Sequence, residues 1–235
     1  YEAHIVRLAR ATPPPDATGL MGVLVNTPVS GSYGGRTQPT HAGSYVLVPD
    51  HTLLRGLHSF TVQAWIYPTL PQRAAAQGLI TRWSADGAGF GFGFVVEPPG
   101  TLALWIGGQH GPIEQVRAAV PLRARQWYAV AGSYDAATGQ VRLWQELVVR
   151  RPVDDARVTA AGAVGGQGGT TAGPLLLGAQ RYVAGPGHPY AEGCFNGKIE
   201  RPCVFSRALS EAEVAALTAG ASPAGLRCCT TSHSA

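Results

Sequence analysis

The chain has 235 residues, 45% of them hydrophobic and only 14% charged, which is enough apolar material for one sizeable core and too little charge for a disordered chain. Its 31 glycines and 18 prolines are spread without a G-X-Y period, which excludes collagen and points to many turns. The formal net charge of +4 would suit nucleic acid if it clustered, but Arg150 and Arg151 form the only adjacent basic pair, so no nucleic-acid partner is expected. No run reaches the roughly 18 apolar residues of a membrane span and no charged-then-apolar leader precedes the core. Neither a membrane partner nor an intact signal peptide is expected, and Tyr1 in place of methionine reads as a piece of something longer or processed.

In chain order, HIVRLAR at His4 to Arg10 alternates as a short strand, and Thr12 to Thr18, with Pro13, Pro14 and Pro15, must leave regular structure. Residues 1–40 are therefore expected to form an arm, a short strand and a linker. From residue 41 onward, β-rich runs bounded by turn residues follow one another: Gly43 to Asp50, Ser59 to Pro68, Gly78 to Trp83, Gly89 to Glu97 and Thr101 to Gly107. The series continues with Gln126 to Asp135, Gln140 to Val149, Pro174 to Gln180 and Gly197 to Phe205. With no helical pattern between them, these strands predict an all-β, antiparallel two-sheet sandwich over residues 41–220.

Asp135 to Gly139 has the length and final glycine of a hairpin loop, pairing the strand of Trp127 with that of Trp144. The glycine-rich stretch from Asp154 to Thr171 is expected to be a mobile loop. Ser210 followed by Glu213 is a capping box, Val214 and Leu217 continue an apolar stripe begun at Leu209, and Gly220 fits a helix stop. One short helix, Glu211 to Ala219, should close the domain, leaving residues 221–235 as an irregular tail.

Cys194 and Cys203 lie about 30 Å apart if they share one strand, beyond the roughly 7 Å limit for a disulfide. Cys228, Cys229 and His233 offer three soft ligands against the four that structural zinc takes, in a tail without periodic pattern. Cys194 lacks an elbow motif, and the seven histidines show no HxH or HxxxH spacing. No catalytic residue is assigned.

Alternation supplies the binding candidates. With Phe60, Val62, Ala64 and Ile66 facing the core, Thr61, Gln63, Trp65 and Tyr67 point the other way. The same logic turns Trp105, Arg142 and Trp144 outward. A face bearing Gln63, Trp65, Trp105, Arg142 and Trp144 would suit a sugar ring or a partner protein; the alternative is that loops or a second domain cover it. Phe90, Phe92 and Phe94 are expected in the inter-sheet core, with the intervening glycines leaving the opposite face bare.

The stretches SFTVQAWIYP, WYAVAGSYDAATGQVRLWQE, LLLGA and FNGKIERPCVFSRALSEAEV resemble the LamG-like (laminin G, pentraxin-like) branch of the concanavalin A-like jelly rolls, over about His41 to Gly220. More narrowly, VRLAR, His41 to Gly56, Val120 to Glu146 and Phe195 to Pro202 resemble the amino-terminal jelly roll of the large subunit of N,N-dimethylformamidase-like amidohydrolases. In that family iron-dependent hydrolysis is carried by a separate downstream domain, so the resemblance implies an accessory module here, with no iron ligand in this chain. Its partners would be the catalytic domain or other subunits, and its location the bacterial cytoplasm. Cys228 to Ala235 departs from the linker that the family pattern leads to expect. The rival reading is a free-standing or secreted carbohydrate-binding or adhesion module. Some LamG-like domains bind calcium, which makes Asp50, Asp86 and Asp135, at strand ends, candidate ligands; the alternative is that they make turns.

Overall fold

The computed structural model describes residues 23–33, 36–55, 57–84, 91–107, 112–151, 157–165, 172–183 and 190–219. The strand expected at His4 to Arg10, the proline linker, Asp86, Phe90, Gly220, Cys228, Cys229 and His233 lie outside them. The elements are β1 (Val23–Tyr33), β2 (Arg36–Val48), α1 (Thr52–Arg55), β3 (Phe60–Pro68), β4 (Gln77–Trp83), β5 (Gly91–Glu97), β6 (Thr101–Gly107) and β7 (Ile113–Arg117). They continue with β8 (Tyr128–Asp135), β9 (Gln140–Leu147), β10 (Val158–Ala163), β11 (Leu175–Leu177), β12 (Arg181–Val183), β13 (Tyr190–Glu192), β14 (Gly197–Phe205) and α2 (Glu211–Thr218).

A seven-stranded sheet runs β1-β2-β11-β4-β5-β6-β7 and a five-stranded sheet runs β10-β9-β8-β3-β14, all pairings within them antiparallel. The expected antiparallel two-sheet sandwich is what the chain forms. Strands distant in sequence become neighbours, β11 beside β2 and β4, and β14 beside β3, which is the crossing-over of a jelly roll.

The core lies between the sheets and follows the alternation read from the sequence. Phe60, Val62, Ala64 and Ile66 of β3, Val130 and Tyr134 of β8, and Val141 and Leu143 of β9 meet Phe92 and Phe94 of β5 and Leu102, Leu104 and Ile106 of β6. Each such buried Val, Leu, Ile or Phe side chain contributes about 1.5–3 kcal/mol. Phe60 and Phe92 stack across the gap with centroids 4.3 Å apart. Gly132 completes the fit, because a methyl group there would sit 3.2 Å from Phe94 and 3.3 Å from Leu104 and Leu143.

The hairpin from Asp135 to Gly139 joins β8 to β9 in register from Asp135↔Gln140 to Tyr128↔Leu147. The Asp135 carboxylate accepts from the Ala137 N–H at 3.0 Å and the Thr138 hydroxyl at 3.0 Å. Gly139 adopts φ +70°, and a side chain there would come within 2.5 Å of the Val164 carbonyl, so only glycine fits.

Three expectations change. Residues 23–33 and 36–40 are sheet, not linker: the β1–β2 hairpin supplies one edge of the seven-stranded sheet. Their run of Thr, Ser, Gly and Pro hid a strand whose hydrogen bonds come from β2. Val158 to Ala163, inside the stretch expected to be a mobile loop, is β10, paired with β9 from Val158↔Gln145 to Ala163↔Gln140. Small residues carry little β preference, but the edge of β9 offers backbone groups that need partners. β7, at Ile113 to Arg117, was not expected as a strand.

Candidate functional site

The outer face of the five-stranded sheet holds four of the five candidate binding residues and is divided in two. Its first half lies under α2. Ser210 caps that helix: its side chain accepts from the Glu213 N–H at 3.4 Å while the Glu213 carboxylate accepts from the Ser210 N–H at 2.9 Å. Arg207 pairs with Glu213 as well. The Arg207 guanidinium, with the Ser210 groups, holds the Glu213 carboxyl down at about 2. This box fixes where the helix starts, and Leu209, Val214 and Leu217 then pack on Ala131, Trp144 and Phe205.

Trp144 is left 3% exposed and Gln63 1% exposed. Thr61 ties the helix approach to β3, its hydroxyl donating to the Arg207 carbonyl at 2.9 Å and accepting from the Leu209 N–H at 2.9 Å. At Trp144 and Gln63 the face is therefore buried, at Trp144 under the chain's own helix and not under the loops or second domain of the alternative reading. At the helix margin a cleft of about 220 Å³ opens between Ser133, Asp135, Arg142 and Ser210. Arg142 donates to Gln140 at 3.0 Å along its wall, and Asp135 is held by the hairpin bonds described above.

Among the described residues, no helix lies over the second half of the face. Trp65 and Tyr67 are half-buried there, facing out as the alternation predicts. The Tyr67 and Trp127 rings meet at 5.4 Å, Lys198 stands over Tyr67 at 5.7 Å, and Arg201 lies over Trp65 at 5.9 Å. Arg201 occupies the bulge of β14 between Glu200 and Cys203, with φ 46°. Tyr67, Trp127 and Arg201 were not among the candidates. The alternation already placed Tyr67 outward, but nothing in the sequence announced the bulge that swings Arg201 over Trp65.

Trp105 is not part of this face. It stands on β6 of the other sheet, opposite Gly93 and Gln115, so strict alternation gave the right direction but the wrong sheet. There its indole N–H donates to Glu97, whose carboxylate also pairs with Arg117. Trp83 flanks it across Gly93, its N–H donating to the Gln180 carbonyl at 3.1 Å.

Asp50 and Asp135 have separate duties. Asp50 pairs with Arg55 and with the buried Arg82, at 3.1 Å from the latter. The Arg55 hydrogen bond, aided by Arg82, holds its carboxyl below the usual range. Among the described residues no group of three or more His, Cys, Asp or Glu could hold a metal ion. Cys194 and Cys203 are in no disulfide, and burial pushes the Cys194 thiol up, away from the thiolate.

With two antiparallel sheets and this connectivity established, the match to known proteins is direct. A family profile described as the concanavalin A-like lectin/glucanases superfamily fits residues 40–215. The chain belongs to that superfamily. It is 32% identical over 230 residues to the N,N-dimethylformamidase beta subunit of Paracoccus aminophilus, and 28% identical over 230 residues to that of an Alcaligenes species. Both alignments take in 94% of this chain and 30% of the relative, so the chain spans about a third of the length of these relatives. Among solved structures, the CBM40 of a Ruminococcus gnavus sialidase bound to α2,3-sialyllactose superposes with a TM-score of 0.55 at 16% identity, covering 84% of this chain and 95% of that one. The enzymatically active domain of bacteriophage CBA120 tailspike protein 2 superposes with a TM-score of 0.57 at 16% identity, over 93% of this chain and 34% of the other. At such identities the likeness is one of fold. No helix among the described residues is long and apolar enough to cross a membrane.

Proposed function

We propose that this chain is a non-catalytic accessory module of an N,N-dimethylformamidase-like amidohydrolase, present to pack against the catalytic part of the enzyme. The observation that carries this reading is the alignment of 94% of the chain with only 30% of a dimethylformamidase beta subunit. The chemistry of the polar groups supports it: the Asp135 carboxylate staples a hairpin, Glu97 is engaged by Trp105 and Arg117, and the Cys194 thiol is buried and pushed away from ionisation. Iron, on this reading, belongs to the catalytic part, and the protein works in the cytoplasm. The test is to read the coding frame beyond residue 235 and purify both products. The longer protein is expected to release formate from N,N-dimethylformamide while the 235-residue chain releases none. Chelator-sensitive hydrolysis by the short chain would refute the proposal.

A second reading has its own observation. Trp105, half-buried beside Gly93 on the seven-stranded sheet, presents the kind of aromatic surface on which a sugar ring stacks, and the sandwich matches a carbohydrate-binding module solved with a sialylated sugar. If that surface binds glycans, Trp105→Ala abolishes retention on an oligosaccharide array; an array that retains neither protein removes this reading.

A further inference from the structure

Four of the six exposed large hydrophobic side chains among the described residues lie in the segments at the end of the sandwich where β3 and β9 finish and β8 and β14 begin. They are Leu70 at 49%, Val148 at 53%, Val149 at 79% and Val120 at 37%, the last in a segment tied to β9 through Gln145. Monomeric surfaces rarely gather such side chains into one patch without a partner to cover them. Backbone bonds lock the patch: Val148 N–H to the Trp127 carbonyl at 2.9 Å, Arg125 N–H to the Pro68 carbonyl at 2.7 Å, and Thr69 N–H to the Asn196 carbonyl at 2.8 Å. Gln145 Nε2 holds the Val120 carbonyl at 3.1 Å. The patch is continuous with the second half of the sheet face, through Trp127 and Tyr67.

Basic residues flank it in the chain: Arg123 and Arg125 follow Val120, Arg150 and Arg151 follow Val149, and Lys198 and Arg201 stand over Tyr67 and Trp65. Among the described residues, the acids near this end of those strands are Glu200 and Glu146, the latter paired with Arg157. Arg125 and Arg201 are also the non-glycine residues that adopt positive φ, 60° and 46°, among the described residues. That conformation is unfavourable for an L residue and recurs where function, not stability, sets the backbone. An apolar centre flanked by basic residues excludes a second copy of itself, whose basic residues would repel them, and fits a face of opposite charge.

Resting on the accessory-module reading, we propose that this end of the sandwich docks on an acidic-rimmed, apolar face of the polypeptide that makes up the rest of the enzyme. In the longer protein, amides of residues 68–70, 120–127, 147–149 and 198–201 are expected to exchange at least tenfold more slowly than in the 235-residue chain, with β5 and β6 unchanged. Unaltered exchange at those stretches in an assembled longer protein overturns the docking site and leaves the accessory reading standing. Should the frame encode no further domain, the accessory reading falls and a defined probe decides the surface. A peptide of alternating glutamate and leucine, titrated into the 235-residue chain and followed by amide NMR shifts, is expected to perturb the same stretches. A lysine–leucine counterpart should leave them unmoved. Binding should weaken tenfold or more between 50 and 300 mM salt, and should be lost in Val149→Asp and in Arg125→Glu, both at exposed positions. Shifts centred elsewhere, equal shifts with the lysine peptide, or none at all overturn the inference.

Discussion

The two halves of the outer face of the five-stranded sheet are built from the same strands with the same alternation, yet one is a core and the other a surface. Around Thr61, Gln63 and Trp144 the capped helix α2 lays Leu209, Val214 and Leu217 over the sheet. A few residues along the same strands, no helix among the described residues lies over Trp65, Tyr67 and Trp127, and Arg201 and Lys198 stand over Trp65 and Tyr67. Aromatic residues facing outward do not by themselves mark a binding site. What the chain supplies to cover them decides.

The comparison breaks most visibly at tryptophan. Trp144→Ala empties a site that is 3% exposed between sheet and helix, and is expected to cost about 3–5 kcal/mol in urea unfolding. Trp65→Ala, at a half-buried position with a stacked guanidinium, should cost about 1 kcal/mol. Equal losses would show that the second half is also a structural core.

Thr61→Val sharpens the same boundary. The substitution keeps the shape but leaves the buried Leu209 N–H without its acceptor, and about 1–3 kcal/mol should be lost. Amide exchange at α2 should quicken while that at Trp65 to Pro68 stays as it was. In the second half the sign reverses: Arg125→Gly relieves a left-handed residue and should change stability by about 1 kcal/mol or less, in the favourable direction. A clear destabilisation there would mean that the Arg125 side chain, not an absent partner, holds this loop.

The halves also differed in how far the sequence revealed them. The outward direction of Gln63, Trp65 and Trp144 was legible because alternation along a strand is a local property, and so was the helix, since Ser210 and Glu213 announce its start. Which sheet a strand joins is not local. Trp105 and Trp144 sit in similar apolar runs, yet the order β10-β9-β8-β3-β14 separates them, and only the assembled jelly roll shows it. β10 escaped notice for the opposite reason: Ala160, Ala161, Gly162 and Ala163 carry almost no signal of their own, and their strand exists because β9 needs a neighbour. The bulge that lifts Arg201 over Trp65 is likewise a product of register against β3.

The smallest effect is the most selective for the covered half. Glu213 has its carboxyl held down at about 2, against an ordinary value of 4.5, chiefly by Arg207 and then by Ser210. Because the folded value lies below the unfolded one, the unfolded chain takes up protons first as pH falls. The contribution of the capping box is therefore complete above about pH 5 and drains away between there and pH 2. Glu213 is exposed, so solvent screens the pair and the acid limb should be shallow. In Glu213→Gln that limb should flatten further, measured as the urea midpoint of α2 protection at pH 6, 4 and 3, with no change at Trp65 or Tyr67. An acid limb that survives the substitution would place the titration elsewhere, with Asp50 and its two arginines as the next group to vary.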